Sequence, residues 1–289
     1  MRYLNSKDVA LLMGVNVSTI KRWTDANMLP CFQTQGGHRK FTLAHINIFL
    51  KNNKKKVQKV NLFELQGLAD KNLIHYIEKG DYNELCPLFL NASILADNKR
   101  LITILTGLYL KGNPLHNIYD KLVFPVLHKI GYLWAADKLS VYEEHLASEA
   151  VRIALYDLGE LLEYPPLVHD TAAICFTFTG DDHELPLIMV KQLLELNQIK
   201  TLNLGRNFPI KFLKRLIDQL NPKYIVISVN YIENLDQIEE ELDELLTIAL
   251  KHNIKIFVGG NAITQLTDTK TELFSIIDNF NDLLSKIIL

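Results

Sequence analysis

The sequence predicts a multidomain protein that joins an all-α winged helix-turn-helix head, a helical bundle and a C-terminal α/β doubly wound parallel sheet. Three observations predict this: a basic, amphipathic N-terminal segment, a middle segment of long apolar periodicity without strand signals, and a last segment of alternating apolar strands and helices. A chain of 289 residues suits two or three domains, because single domains cluster at about 100–150 residues. We place the head at 1–55, a linker at 56–61, the bundle at 62–165 and the α/β domain at 166–289.

Composition and cysteine usage narrow the class of protein. With 48% hydrophobic and 22% charged residues, the chain is close to the globular average, which excludes wholesale disorder and collagen-like or coiled-coil fibres. No apolar run approaches the roughly 20 residues of a membrane span, and the N-terminus lacks a secretory core. Cys31, Cys86 and Cys175 are widely spaced and odd in number, which argues against a disulfide framework. We therefore expect a soluble cytoplasmic protein with no membrane partner.

The formal net charge of −2 hides a strong asymmetry along the chain. Residues 1–60 contain 11 basic residues and only two acids, Asp8 and Asp25, so this segment carries +9 and the remainder −11. A basic head on an acidic body predicts a polyanion-binding module joined to a second function.

The head has the spacing of a helix-turn-helix. Ser6 is the expected N-cap of a helix that ends at Met13, Gly14 opens a tight turn, and a second helix spans Val17–Asp25. The polar residues of the second helix are expected to contact base edges and phosphates of DNA. These residues are Ser18, Thr19, Lys21 and Arg22.

A wing is predicted after the second helix. Gly36-Gly37 permits a tight hairpin turn, from which His38, Arg39 and Lys40 would project beside the recognition helix. An ordinary surface hairpin is the alternative, but the +9 charge favours DNA binding. With its Gly-Gly-His-Arg-Lys-Phe stretch, this segment up to about residue 53 resembles the MerR family of winged-helix regulators. The resemblance implies a dimer bound to an inverted repeat near a promoter.

The middle segment predicts a bundle of helices at about 62–79, 81–97, 99–112, 115–134 and 138–163. One group of residues in this segment is a candidate site, because Trp134 is followed after nine residues by Glu144-His145. Helical spacing places His145 on one stripe with Val141 and Ser148. From this segment alone, a solvated histidine remains the alternative to a ligand.

The C-terminal segment has strands at 171–178, 200–204, 224–228 and 255–258 that alternate with helices. Ligands of such sheets bind outside the carboxyl ends of the strands. The sequence places its polar and glycine residues at these ends: Thr179–His183, Ser228–Asn230, Gly259 and Gly260.

Asp181 and His183 indicate the chemistry of this edge. A carboxylate two residues before a histidine can orient the imidazole and favour ligation through the other ring nitrogen. Gly259-Gly260 would let a bulky ligand lie close to the backbone. The glycine-rich phosphate loops are absent from the sequence, and zinc would need more ligands. The residues thus predict a pocket for a large ligand with one axial imidazole, and an ordinary loop that contains a histidine is the alternative.

Asp181-x-His183, Ser228-Val and Gly259-Gly260, in this order on the strands, resemble the cobalamin-binding, Rossmann-like fold of corrinoid enzymes. Behind a MerR-like head and a helical bundle, they resemble the CarH/LitR-type family of cobalamin-dependent photoreceptor repressors. Trp134 followed by Glu144-His145 matches the bundle signature of that family. The match covers nearly the whole chain.

The resemblance implies a light-controlled repressor. In the dark, His183 would be the lower cobalt ligand of adenosylcobalamin, with Trp134 packed against the adenosyl group and Glu144 contacting it between bundle and sheet domain. The loaded protein would form a tetramer that binds operator DNA. Light would cleave the cobalt–carbon bond, His145 would become the upper ligand, and the tetramer would fall apart and release DNA.

Two departures from the family pattern keep a second function open. Pro186, expected at the first position of a helix, stands where the family has glycine, and Asn230 replaces a small or apolar residue beside the nucleotide tail. A MerR-type regulator that keeps the fold but neither binds nor needs cobalamin is therefore the alternative. An enzyme-class alternative is a corrinoid methyl carrier or mutase subunit, which the DNA-binding head argues against. The third alternative is a C-terminal domain that serves only as a structural dimerisation module.

Overall fold

The computed structural model describes residues 3–53, 70–162, 164–165, 172–266 and 273–288. The chain divides into two compact units, Met1–Glu163 and Tyr164–Leu289. We call residues 3–53 the head, residues 70–162 the helical part and the second unit the sheet unit. The predicted linker at 56–61 and the first part of the helix predicted at 62–79 lie outside the described residues.

The head folds as a helix-turn-helix with a small antiparallel sheet in the order β1-β3-β2. Its elements are β1 (Leu4–Asn5), α1 (Ser6–Leu12), α2 (Val17–Asp25), β2 (Phe32–Gln33), β3 (Arg39–Phe41) and α3 (Leu43–Asn52). The predicted cap of the first helix was wrong by one residue. Asn5 is the N-cap, and its side chain accepts hydrogen bonds from the backbone amides of Lys7 and Asp8.

Apolar side chains from α2, α3 and β3 form the core of the head. Trp23 of α2 packs against Phe49 of α3 with ring centroids 4.6 Å apart, and Phe41 of β3 is fully buried. The core thereby fixes the recognition helix α2 against the wing strand β3.

The helical part follows the predicted order of helices. Its described elements are α4 (Lys71–Lys79), α5 (Tyr82–Ile94), α6 (Asn98–Leu110), α7 (Leu115–Ile118), α8 (Phe124–Ala135) and α9 (Val141–Leu161). The long helix α9 begins with a capping box, in which Ser140 and Glu143 bond each other's backbone amides. It buries a stripe of small and aliphatic residues that includes Ala147, Val151 and Leu155.

The single helix predicted at 115–134 is interrupted by a π-helical turn at Tyr119–Val123 between α7 and α8. Pro125 has no amide hydrogen to give the carbonyl of Lys121, the residue four positions before it. The Cys86 thiol donates to that carbonyl instead, at 3.3 Å. Burial raises the pKa of Cys86, which keeps the thiol protonated as a donor.

The sheet unit has a parallel sheet in the order β5-β4-β6-β7-β8. Its described strands are β4 (Ala172–Phe176), β5 (Lys200–Gly205), β6 (Tyr224–Ser228), β7 (Lys255–Gly259) and β8 (Ser275–Ile277). Its described helices are α10 (Leu185–Leu196), α11 (Leu213–Leu220), α12 (Leu235–His252) and α13 (Phe280–Ile288). Four strands were predicted and β8 was missed, because three residues are too few to show a strand pattern.

The strand order creates a crevice at one defined point. From β4 the chain moves outward to β5 and then crosses to β6 on the other side, so the direction of winding reverses between β4 and β6. Parallel α/β sheets bind ligands outside the carboxyl ends of the strands at such a reversal. The loops after β4 and β6 therefore form the expected ligand edge.

Within the described ranges, no helix combines the length and the apolar character needed to cross a bilayer.

We predict that Gly260→Ala destabilises the sheet unit by about 3 kcal/mol, because a Cβ at this residue would overlap the backbone of Val229 and its φ is +117°. Gly205→Ala is the matched control, since Gly205 also has a positive φ, +80°, but open space around its Cβ position. Its expected cost is about 1 kcal/mol. Urea unfolding followed by circular dichroism measures both, and equal losses would contradict the overlap.

Candidate functional site

The buried carboxylate of Asp181, in the loop after β4, organises the ligand edge. Its Oδ1 lies 2.7 Å from Nδ1 of His183 and accepts a hydrogen bond from the His183 backbone amide at 3.0 Å. Its Oδ2 accepts from the amides of Asn230 and Tyr231, at 2.7 and 3.3 Å. The side chain is only 1% exposed, so these donors replace the water that a charged carboxylate would otherwise need.

The predicted pairing of Asp181 with His183 is present, and it presents the imidazole at the surface. The His183 side chain is 58% exposed although its partner is buried. A carboxylate on Nδ1 keeps the proton on that nitrogen and leaves Nε2 as the basic ring atom. The loop therefore holds one oriented imidazole at the carboxyl end of β4.

Asn230 joins the loops after β6 and β7. Its side-chain nitrogen donates to the hydroxyl of Ser228 at 2.8 Å, and its side-chain oxygen accepts from the amide of Asn261 at 3.4 Å. Ser228 is 6% exposed. The larger side chain that departs from the family pattern thus occupies the space directly beside the predicted site residue Ser228.

The glycine pair after β7 has a role within the protein itself. A Cβ at Gly260 would overlap the backbone of Val229, and a Cβ at Gly259 would lie 3.0 Å from the carbonyl oxygen of Ile277. Close approach of neighbouring loops and strands therefore accounts for both glycines, and contact of this pair with a ligand stays a prediction.

Pro186 is the second residue of α10, one position later than expected. An amide at the second helical position has no acceptor inside the helix, so proline is tolerated there and α10 keeps its beginning. Pro186 therefore leaves the fold unaffected.

Beside the His183 loop lies a cavity of about 520 Å³, and the sequence indicates only part of its lining. It is lined by Thr179 and Gly180 of that loop and by Glu233–Gln237 at the beginning of α12. The sequence places Thr179 and Gly180 at this strand end, but it gives no signal for Glu233–Gln237, which follow β6 only after an intervening loop.

Three predicted residues lie near one end of the helical part. Trp134, at the end of α8, is 49% exposed. Glu144 and His145 stand in the first two turns of α9, which begins shortly after α8 ends. Glu144 accepts from the hydroxyl of Ser148 at 2.7 Å, and its other oxygen lies 2.8 Å from Nδ1 of His145, whose side chain is 75% exposed. An exposed indole and a carboxylate–imidazole pair are thus available for a ligand.

The recognition helix α2 is placed as the sequence predicts. Ser18, Lys21 and Arg22 are exposed and Thr19 is half-buried. A second cavity, of about 530 Å³, lies along Thr19, Arg22 and Trp23.

The three predicted wing residues do not share one direction. Gly37 has a φ of +75° and closes the hairpin, and His38 beyond it is exposed. Arg39 instead reaches α2, where its guanidinium forms an ion pair with Asp25 at 2.5 Å. Lys40 is half-buried on β3. The expectation that all three project from the wing was therefore wrong for Arg39.

No group of three or more His, Cys, Asp or Glu side chains gathers into a metal cage within the part of the chain that the structure describes. One histidine in the β4 loop would suffice only for a metal that brings most of its own ligands.

Comparison with known proteins agrees with this division of the chain. Residues 3–54 match the family model of a helix-turn-helix domain, and residues 72–158 match that of a B12 binding domain.

Individual relatives fall into two groups. The chain is 27% identical over 173 residues to the HTH-type transcriptional repressor CarH of Myxococcus xanthus, a match that covers 60% of this chain and 56% of the repressor. This chain thus spans little more than half of that relative's length. It is 22% identical over 170 residues to dimethylamine corrinoid protein 1 of Methanosarcina acetivorans, covering 58% of this chain and 80% of the relative.

A solved structure shares the fold. The monomethylamine corrinoid protein of Methanosarcina barkeri aligns with a TM-score of 0.57 and 16% identity, over 72% of this chain and 99% of that protein. The predicted fold class is confirmed: a helix-turn-helix head, a helical region and a parallel Rossmann-like sheet of the corrinoid-binding type. The resemblance to a CarH-like cobalamin-binding regulator is confirmed as well.

We predict that Asp181→Asn lowers the free energy of unfolding by about 2 kcal/mol, because an amide cannot satisfy His183 and the two backbone donors together. It should also shift the ring proton of His183 away from Nδ1, which nitrogen NMR of the imidazole detects. Asp182→Asn is the control, since Asp182 is 69% exposed and only 3.8 Å from Arg206. An unchanged His183 tautomer in Asp181→Asn would refute the proposed role of this carboxylate.

Proposed function

We propose that this chain is a DNA-binding transcriptional regulator, acting as a repressor, whose state is set by adenosylcobalamin. The observation that carries the proposal is the Asp181–His183 pair at the winding reversal of a sheet, in a chain that also has a helix-turn-helix head. The B12 binding domain match and the CarH repressor among its relatives support the same ligand and the same output.

The residues of the β4 loop fit a corrinoid. The His183 side chain is accessible, oriented by a buried carboxylate and placed where parallel sheets bind ligands. Nε2 of His183 would hold the cobalt, and Asp181 would orient that imidazole. Ser228, Gly259 and Gly260 are assigned to the remainder of the same site. Bound adenosylcobalamin supplies a cobalt–carbon bond that light can break.

The helical part has groups that would suit the adenosyl moiety. We assign Trp134 to pack against the adenosyl group and Glu144 to contact it, since an exposed indole and an acceptor carboxylate suit a nucleoside. His145, 75% exposed beside Glu144, is the second proposed cobalt ligand, for the illuminated state.

The output is DNA binding by an oligomer. Ser18, Thr19, Lys21 and Arg22 on α2 are proposed to meet the major groove, and the wing the neighbouring backbone. A tetramer in the dark would place several heads on one operator, and its dissociation in light would lower affinity through lost multivalency.

A cobalamin-independent regulator is the second candidate function. It is favoured by Asn230, whose side chain takes up the hydroxyl of Ser228, and by Pro186 in place of glycine at the beginning of α10. The dimethylamine and trimethylamine corrinoid proteins among the relatives keep a methyl carrier as the enzyme-class candidate. The helix-turn-helix head favours a regulator that is not an enzyme.

We predict that His183→Ala weakens binding of adenosylcobalamin in the dark by at least about tenfold, because loss of an oriented ligand costs this much or more in metal affinity. Absorbance titration measures the affinity and shows whether the cofactor's own base is displaced in the wild type. His75→Ala, at an exposed histidine of α4, is the control. Equal affinities of His183→Ala and wild type would remove His183 from the site.

We predict that the wild-type chain loaded in the dark elutes from a size-exclusion column as a larger species and that illumination shrinks it. A size that does not respond to light would contradict light sensing. A wild-type chain that binds no cobalamin while Pro186→Gly binds it would instead establish the cobalamin-independent regulator.

A further inference from the structure

The direction of side chains along the wing strand separates Arg39 from its neighbours. Successive residues of a strand point to opposite faces, so Arg39 and Phe41 share one face of β3 and Lys40 takes the other. Phe41 is fully buried in the core of the head. Arg39 therefore points toward the interior side of the wing, whereas His38, directly before the strand, is exposed.

The side chain of Arg39 contacts the recognition helix. Its guanidinium lies 2.5 Å from a carboxylate oxygen of Asp25, the last residue of α2. The Arg39 side chain is only 18% exposed, and its Nε is buried without a hydrogen-bond partner among the described residues. Asp25 is 64% exposed. An arginine buried to this extent is poorly placed to hold a DNA phosphate and well placed to hold the wing.

The register of the wing strands places Arg39 where its contact with Asp25 can restrain the hairpin. Arg39 pairs with Gln33 across the β2–β3 hairpin, and Lys40 pairs with both Phe32 and Asn5. Arg39 therefore stands on the central strand, next to the turn. A link from this position to the end of α2 fixes the angle between the recognition helix and the hairpin.

We propose that Asp25 and Arg39 form a clamp that sets the wing against the recognition helix, with Arg39 a positioning residue rather than a phosphate contact. The proposal rests on DNA binding by the head, as proposed above. It assigns the outward wing contacts to His38 and Lys40. It also explains why one of the two acids among residues 1–60 stands at the end of the recognition helix, where a negative charge would otherwise repel DNA.

Asp25→Asn gives the sharpest test, because the clamp and simple electrostatics predict opposite signs. Removing an acid from a DNA-binding surface raises affinity when the acid only repels phosphate. Loss of the clamp lowers affinity instead, by about fivefold, the size of a favourable partly exposed ion pair. Affinity is measured by fluorescence anisotropy with the full chain, loaded with adenosylcobalamin in the dark, and a duplex that the wild type selects from a random-sequence pool.

The salt dependence of binding distinguishes positioning from contact. Arg39→Ala should weaken binding to a similar extent without changing the slope of log affinity against log salt, and the double variant with Asp25→Asn should be no weaker than either single variant. Arg22→Ala is the reference for a phosphate contact, and its slope should fall by about 0.9. A slope change of that size in Arg39→Ala, or tighter binding by Asp25→Asn, would overturn the clamp.

Cys31 reports on the pair without DNA. Burial raises the pKa of this thiol, Arg39 lowers it and Asp25 raises it, so both charges act on it. The pH dependence of Cys31 alkylation, followed on its peptide by mass spectrometry, should show a lower pKa in Asp25→Asn and a higher pKa in Arg39→Ala. The amides of Thr34 and His38 donate across the hairpin to the carbonyl of His38 and the hydroxyl of Thr34, and their hydrogen exchange should accelerate in both variants.

These readouts separate the clamp from the proposed function. A wild type that selects no duplex would refute DNA binding, whereas the hairpin exchange would still decide on the clamp, because the thiol titration reports only that both charges lie near Cys31. Hairpin exchange as slow as in the wild type in both variants would overturn the clamp, because the wing would then keep its position without the ion pair.

Discussion

The carboxylate of Asp181 joins the two sides of the ligand edge, and the arrangement of the site depends on it. One oxygen holds His183 of its own loop, and the other receives the amides of Asn230 and Tyr231 from the loop after β6. A buried carboxylate must be fully hydrogen-bonded to be tolerated. The backbone amides of the loop after β6 therefore fix the carboxylate of Asp181, and this carboxylate orients the imidazole in the loop after β4. The two loops meet at the point where the winding of the sheet reverses.

The fold could be predicted because each segment has its own periodicity. The alternation of strands and helices from residue 172 onward predicted β4 to β7, and the spacing of apolar residues predicted α5, α6 and α9. The ligand edge followed from the rule on strand ends, and the pairing of Asp181 with His183 followed from their separation by one residue. These predictions needed only local sequence.

What the sequence did not predict depends on contacts between distant residues. The ion pair of Arg39 with Asp25 requires the side-chain parity of β3 and the position of α2. The acceptor of the Cys86 thiol is a carbonyl that Pro125 leaves without a donor. The link from Asn230 to Ser228 and Asn261 depends on the register of two loops. In each case a polar group finds its hydrogen-bond or ion-pair partner in a distant part of the chain. Such a contact leaves no pattern in the linear sequence.

The proposed function depends first on His183 being a cobalt ligand. Electron paramagnetic resonance of the chain loaded with cob(II)alamin tests it directly, with histidine labelled with the heavier nitrogen isotope. Each cobalt line of the unlabelled protein should be split into a triplet by the axial nitrogen, and labelling should convert the triplets into doublets. Triplets that persist after labelling would mean that the cofactor keeps its own base, and that the Asp181–His183 pair does not hold the metal.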